Sequence, residues 1–368
     1  MNRQGWKATA LVLLVCSGAC AQQCVVPRPF ELDRLNRRIA GHVVDYTHNH
    51  GRKNWLWSPA LGEYRDMYVY LPPGYDPCKK YPLILWLHGV AQDEHSFLID
   101  AVDPLDRAMQ TGQLPPSIIA APDGSLKGVG GYLSAGSFWI NTPVGGRFED
   151  YLMQDVWDFL FANYPIRPER DAHAIAGVSM GGGGAVHTAF KYPDRFGTVL
   201  ALIPPLNNRW VDCHGRYMAN FDPNCWGWEN CFNRPLEVVG RYYGVIVVRE
   251  WRVGWPLYGR RNPDTTALVS RENPIEMLDT CDVRDGEFHM YIAYAGRDNY
   301  NLDAQAESFL FRAGQKGIHI DVDYVPDGHH DLATVQRMTP KALDWLGDQL
   351  RPYGPEQPSI PNVPAVVP

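Results

Sequence analysis

The chain has 368 residues, of which 45% are hydrophobic and 20% charged, and a formal net charge of −7. That balance is ordinary for a soluble globular protein and leaves room for a large core. A mildly acidic surface argues against nucleic acid or an anionic membrane as the main partner.

In chain order, residues 1–21 read as a signal peptide. Arg3 and Lys7 precede a short apolar core from Ala8 to Val15, and Ala19-Cys20-Ala21 fits the small-x-small rule, so cleavage is expected after Ala21. The run is too short to span a bilayer. Ser17 stands where lipoprotein signals usually carry an aliphatic residue, which disfavours anchoring at Cys20. An N-terminal extension over 22–42 follows. Just beyond it, His48-Asn49-His50 has chelating residue types but reads as a solvated polar loop, and no metal is expected. Strands are expected near 66–71, 82–87, 117–122, 173–178, 198–203, 290–295 and 319–325, with helices near 149–163, 181–191, 304–316 and 333–350. The run Tyr81-Pro82-Leu83-Ile84-Leu85-Trp86-Leu87 is nearly all apolar, as a strand covered on both faces should be. Glu149 and Asp150 open the 149–163 helix with acids in its first turn, as the macrodipole prefers. After Arg351, prolines recur mostly every third residue to Pro368, a polyproline II spacing read as a surface-lying or disordered tail.

Chemistry concentrates in the loops between these elements. Strand 173–178 runs into Gly177-Val178-Ser179-Met180-Gly181 and then a helix, the strand–turn–helix setting that lifts a serine Oγ off the end of a sheet. The strand at 290–295 ends in Gly296-Arg297-Asp298-Asn299, and the one at 319–325 leads into Pro326-Asp327-Gly328-His329-His330-Asp331. Serine, aspartate and histidine thus follow in the order Ser, Asp, His, each in a loop after a strand, where α/β sheets gather catalytic groups. The strand at 82–87 ends in His88-Gly89-Val90, placed to supply one oxyanion-hole N–H, with the N–H of Met180 as the second donor. His88 is tempting as a base, but at this position it hydrogen-bonds and shapes the loop; it is kept with Trp226, Trp228 and Trp251 among the candidate substrate contacts.

Val69-Tyr70-Leu71-Pro72-Pro73-Gly74-Tyr75, Leu87-His88-Gly89-Val90, Gly177-Val178-Ser179-Met180-Gly181-Gly182, Ala295-Gly296-Arg297-Asp298 and Gly328-His329-His330-Asp331 together resemble the putative esterase family. That family groups feruloyl-esterase-like enzymes, S-formylglutathione hydrolase, enterochelin esterases and the antigen 85 mycolyltransferases. The likeness covers about 43–350. It implies an α/β-hydrolase fold, with a mostly parallel central sheet flanked by helices, and makes Ser179 the nucleophile, Asp298 the acid and His330 the base. His329 stands where relatives often carry a second glycine. The implied chemistry is two-step acyl transfer through an acyl-enzyme, with no cofactor. The expected protein is an exported serine carboxylic-ester hydrolase acting on a small-molecule or glycan ester, feruloyl or acetyl. Acyl transfer to a sugar, as in the antigen 85 relatives, is the alternative. An exported glycan-binding protein on this scaffold is a second, against which three intact catalytic residues speak. Oligomeric state stays open.

Export changes the meaning of the cysteines. Past residue 21 remain Cys24, Cys78, Cys213, Cys225, Cys231 and Cys281, an even number for which full disulfide pairing is the default. Connectivity is not fixed by sequence, though Cys225 and Cys231 are near enough to close a small loop. Three of the six fall in an aromatic-rich insertion over about 206–258, with Trp210, Trp226, Trp228, Trp251, Trp255, Tyr217, Tyr242 and Tyr243. Lying between the serine helix and the Asp298 strand, it should hang above the serine and set substrate choice by stacking. These aromatics can equally form the insertion's own small core.

Overall fold

The computed structural model describes residues 28, 30–131, 135–232, 234–242 and 246–355. The signal peptide, Cys24, Tyr243 and the prolines beyond 355 lie outside the described residues.

Eight strands form one sheet: β1 (His42–Tyr46), β2 (Met67–Leu71), β3 (Leu83–Leu87), β4 (Ile118–Pro122), β5 (His173–Val178), β6 (Thr198–Leu202), β7 (His289–Ala295) and β8 (Asp321–Val325). Their spatial order is β1-β2-β4-β3-β5-β6-β7-β8. β2 runs antiparallel to both neighbours, and every pairing from β4 to β8 is parallel. The central strands are apolar throughout because both faces are covered, and alternation sorts their side chains. Leu83, Leu85, Ile118 and Ile175 join one buried cluster, while Ile84, Ile119, Ala174 and Ala176 join the other.

The helices are α1 (Glu31–Asn36), α2 (Val102–Thr111), α3 (α-helical over Phe148–Asp150 and Trp157–Asn163, π-wound over Tyr151–Val156), α4 (Met180–Lys191), α5 (Glu250–Tyr258), α6 (Thr265–Arg271), α7 (Pro274–Thr280), α8 (Leu302–Gln315) and α9 (Leu332–Leu350). Phe148, Val186, Leu278 and Phe309 bring α3, α4, α7 and α8 onto one face of the sheet. Leu32, Leu105 and Leu346 bring α1, α2 and α9 onto the other. The fold therefore begins before residue 43: α1 buries Leu32 and Leu35, and the Asn36 amide exchanges two hydrogen bonds with the Val43 backbone, 2.9 and 2.8 Å.

Between β6 and α7 the chain builds two antiparallel ribbons, Trp210–Asp212 with Trp226–Trp228 and Val238–Tyr242 with Ile246–Arg249, before α5 and α6. The first ribbon corrects the expected cysteine chemistry. Asp212 pairs with Trp226, so the next residue pair outward is Cys213 and Cys225, which form a disulfide. Cys231 lies beyond the other end of the ribbon, so it cannot close on Cys225. Cys78, Cys231 and Cys281 are exposed free thiols, and the expectation of full pairing fails.

The register carries the site. Leu87 pairs with Gly177, Val178 with Leu202, Leu202 with Ala293 and Ala295 with Val325. The loops following β3, β5, β7 and β8 consequently leave the sheet along a single edge.

Candidate active site

Ser179 joins β5 to α4 with φ 54° and ψ −121°, a backbone conformation a side-chain-bearing residue adopts only when its surroundings enforce it. The Ser179 N–H donates to Leu202 O at 2.8 Å, and Ser179 O accepts from Gly183 N–H at 3.1 Å. Glycine is required on both sides: a Cβ on Gly177 would stand 2.8 Å from Leu87 O and collide with the Gly181 backbone, and one on Gly181 would strike Leu87 O. The turn is that tight because β5, α4 and the end of β3 meet there.

Facing Ser179 is the loop between β8 and α9. Asp331 caps α9, its Oδ1 accepting from Thr334 N–H at 2.8 Å. This anchors the preceding residue, so that His330 Nε2 lies 2.8 Å from Ser179 Oγ and Nδ1 lies 2.8 Å from Asp298 Oδ2. A carboxylate only accepts, so the imidazole proton belongs on Nδ1, leaving Nε2 to accept the serine proton. Asp298 is nearly sealed from solvent, and its Oδ1 takes N–H bonds from Tyr300 at 2.8 Å and Leu302 at 3.4 Å. His329 turns away, its Nδ1 3.0 Å from Arg297 O. The structure thus brings Ser179, Asp298 and His330 into one hydrogen-bonded chain and leaves His329 out of it.

Val90 and Met180 border the same cavity as Ser179. Neither N–H has an acceptor among the described residues. His88 is not a substrate contact. It is buried, its Nε2 accepts from Gly124 N–H at 2.8 Å, and its Nδ1 is 2.8 Å from Gly89 O. Beneath it Asp123 is fully buried; burial opposes its charge, but Arg65, 2.7 Å away, holds the carboxyl below its usual range. These contacts fix the loop that carries Val90.

The cavity beside Ser179 encloses about 480 Å³. Its wall is largely apolar, with Phe138, Ile140, Phe232, Val248 and Leu257 prominent. Trp226, Trp228 and Trp251 do not border it, which corrects their assignment. Trp226 and Trp228 pack edge-to-face in the first ribbon, 5.1 Å between centroids, with Arg209 over Trp228. On α5 the cavity is lined by Glu250, Arg252, Val253, Gly254, Leu257 and Tyr258, whereas Trp251 is exposed and packs near Trp255. Among the described residues, Tyr217, Phe232 and Tyr258 are the insertion aromatics that do reach the cavity. Sequence reading also missed the 135–140 wall, Asn299 and Tyr300; only the position of the last two beside Asp298 marks them.

Both histidines of the His48-Asn49-His50 run are engaged. His48 Nδ1 lies 2.6 Å from Asp66 Oδ2, and His50 bridges Arg28 O and Tyr68 Oη. Cys213, His214 and Cys225 cluster, but the two sulfurs are bonded to each other.

An eight-stranded sheet with β2 reversed, a serine on a strained turn between strand and helix, and Ser, Asp, His in that order define an α/β-hydrolase. The sequence profile of the putative esterase family matches residues 58–250, and the chain belongs to that family. It is 26% identical over 333 residues to an esterase of Mycobacterium tuberculosis, covering 84% of this chain and 62% of that protein. It is 27% identical over 152 residues to the S-formylglutathione hydrolase of Rattus norvegicus, 38% of this chain and 51% of the other. The chain therefore spans about half to three fifths of the length of these curated relatives. In structure it is similar to a ferulic acid esterase, with TM-score 0.59, 18% identity, and coverage of 85% and 99%. The S-formylglutathione hydrolase from Agrobacterium tumefaciens gives TM-score 0.57 at 15% identity, with coverage of 84% and 95%.

Proposed function

We propose that this protein is an exported serine carboxylic-ester hydrolase whose acyl-enzyme forms on Ser179. The carrying observation is the chain Ser179 Oγ–His330 Nε2 and His330 Nδ1–Asp298 Oδ2, both 2.8 Å, at a large apolar cavity. His330 takes the serine proton as Oγ attacks the ester carbonyl, then returns it to the departing alcohol. Asp298 holds the Nδ1–H tautomer and offsets the charge on the imidazolium. The N–H groups of Val90 and Met180 receive the oxyanion, where loss of one donor costs about 10²–10³ in rate. Water, activated by the same histidine, then releases the acid.

A cavity of about 480 Å³ favours a bulky apolar acyl group. Acetyl would leave most of it unfilled, so a feruloyl-type ester fits this reading better, with a glycan as the alcohol. Export rests on the charge-then-apolar N-terminus and accords with the Cys213–Cys225 disulfide.

The test is turnover of p-nitrophenyl acetate and methyl ferulate by wild type and Ser179→Ala. Wild type should prefer the ferulate in kcat/KM, and the alanine variant should lose about 10⁴-fold or more on both. An alanine variant retaining more than about a hundredth of the rate would overturn the serine mechanism.

A further inference from the structure

The segment between β6 and α7 does more than wall the cavity: its hydrogen bonds run into the loop that holds Asp298. Three successive residues of that loop are tied to it. Asn299 O accepts from Arg241 N–H at 2.7 Å, and Asn299 Nδ2 donates to Arg241 O at 2.9 Å. Tyr300 O accepts from the Tyr217 hydroxyl at 2.7 Å. Asn301 Nδ2 donates to Tyr217 O at 2.7 Å and Ala219 O at 3.0 Å. Asn301 has φ 57°, a left-handed conformation that asparagine adopts more readily than most residues.

The same loop grips the histidine. Asn299 Oδ1 accepts from His330 N–H at 3.0 Å, and the Tyr300 ring meets the imidazole edge-on, 4.9 Å between centroids. The Asn299 amide is therefore used at both ends, its carbonyl by His330 and its amino group by Arg241. No other orientation satisfies both partners, since His330 N–H only donates and Arg241 O only accepts. Gly240 sits against the Tyr300 ring, where a Cβ would come within 2.5 Å of Cδ1.

We infer that Asn299 is a positioning residue through which the insertion holds His330 in line between Ser179 and Asp298, so that this segment supports catalytic rate as well as substrate fit. The inference rests on the serine-esterase reading. A slack His330 is a serious loss because misplacing a reacting group by about 1 Å costs on the order of 100-fold.

Asn299→Ala and Tyr217→Phe are compared with wild type on p-nitrophenyl acetate, too small to fill the cavity, and on methyl ferulate. Circular dichroism confirms the fold of each variant. Wild-type turnover and its loss in Ser179→Ala stand as the separate check on the esterase reading. Asn299→Ala should lower kcat by about ten- to a hundredfold on both esters with KM little changed. Tyr217→Phe, which keeps the ring and removes the hydroxyl that donates to Tyr300 O and accepts from Gln305 Nε2, should lower kcat several-fold on both. The double variant should lose less than the product of the single losses, because both act on one loop. Losses confined to methyl ferulate, or appearing in KM alone, would reduce the insertion to a substrate wall and overturn the proposal. Unchanged kcat in both folded variants would do the same.

Discussion

Ser179 carries a backbone strain of about 1–3 kcal/mol, and its two backbone hydrogen bonds, to Leu202 and from Gly183, hold it there. A second local cost lies behind Asp298. Burial, then the charge of Asp298, push the Asp303 carboxyl up to about 6, and its Oδ1 has no partner among the described residues. The folded value exceeds the unfolded one, so ionisation of Asp303 opposes folding. That penalty is absent below about pH 4, grows between about pH 4 and 6, and stays constant above. Asp303→Asn should therefore melt with wild type at pH 4 and above it at pH 7.5, as thermal scans will read; an equal difference at both pH values would refute the assignment. Residue by residue, Ser179, Asp298 and His330 were legible because each sits in a loop after a recognisable apolar strand. Asn299, Tyr300 and Tyr217 were not. Their roles come from contacts between residues 31 to 83 positions apart, which no local pattern encodes.

The elements that sequence missed are those with a weak period or a misleading residue. β1 is only partly buried at the sheet edge. α2 contains Pro104 near its start, a position where proline is tolerated although it reads as a break. The expected strand at 319–325 begins at Asp321, and π-winding interrupts the helix over 148–163 without ending it. In the insertion, tryptophan content was visible but its direction was not, since that depends on ribbon pairing and on which face α5 turns to the cavity. Ribbon register also decides the cysteines. Alkylation of denatured, unreduced protein should label Cys78, Cys231 and Cys281 and leave Cys213 and Cys225 unlabelled; label on either of the latter would contradict the pairing. Closing a loop of 12 residues should make reduction cost about 2–3 kcal/mol in stability, read by chemical denaturation.

Across the whole molecule, a sheet covered on both faces by helices supplies a rigid edge, and that edge presents four loops from distant parts of the sequence. The catalytic reading needs all four: β3 brings Val90, β5 brings Ser179 and Met180, β7 brings Asp298, and β8 brings His330. Family membership and strand order agree on this architecture, whereas the insertion gives the cavity part of its apolar wall and is hydrogen-bonded to the loop that carries Asp298. The central claim is that Ser179 is the nucleophile, activated by His330. Its most direct test is covalent capture with a fluorophosphonate, followed by intact mass measurement and peptide mapping. One phosphonyl group per chain should be found on the peptide carrying Ser179, and none on Ser179→Ala. A label on another residue, or ester hydrolysis that continues while Ser179 stays unmodified, would contradict the account.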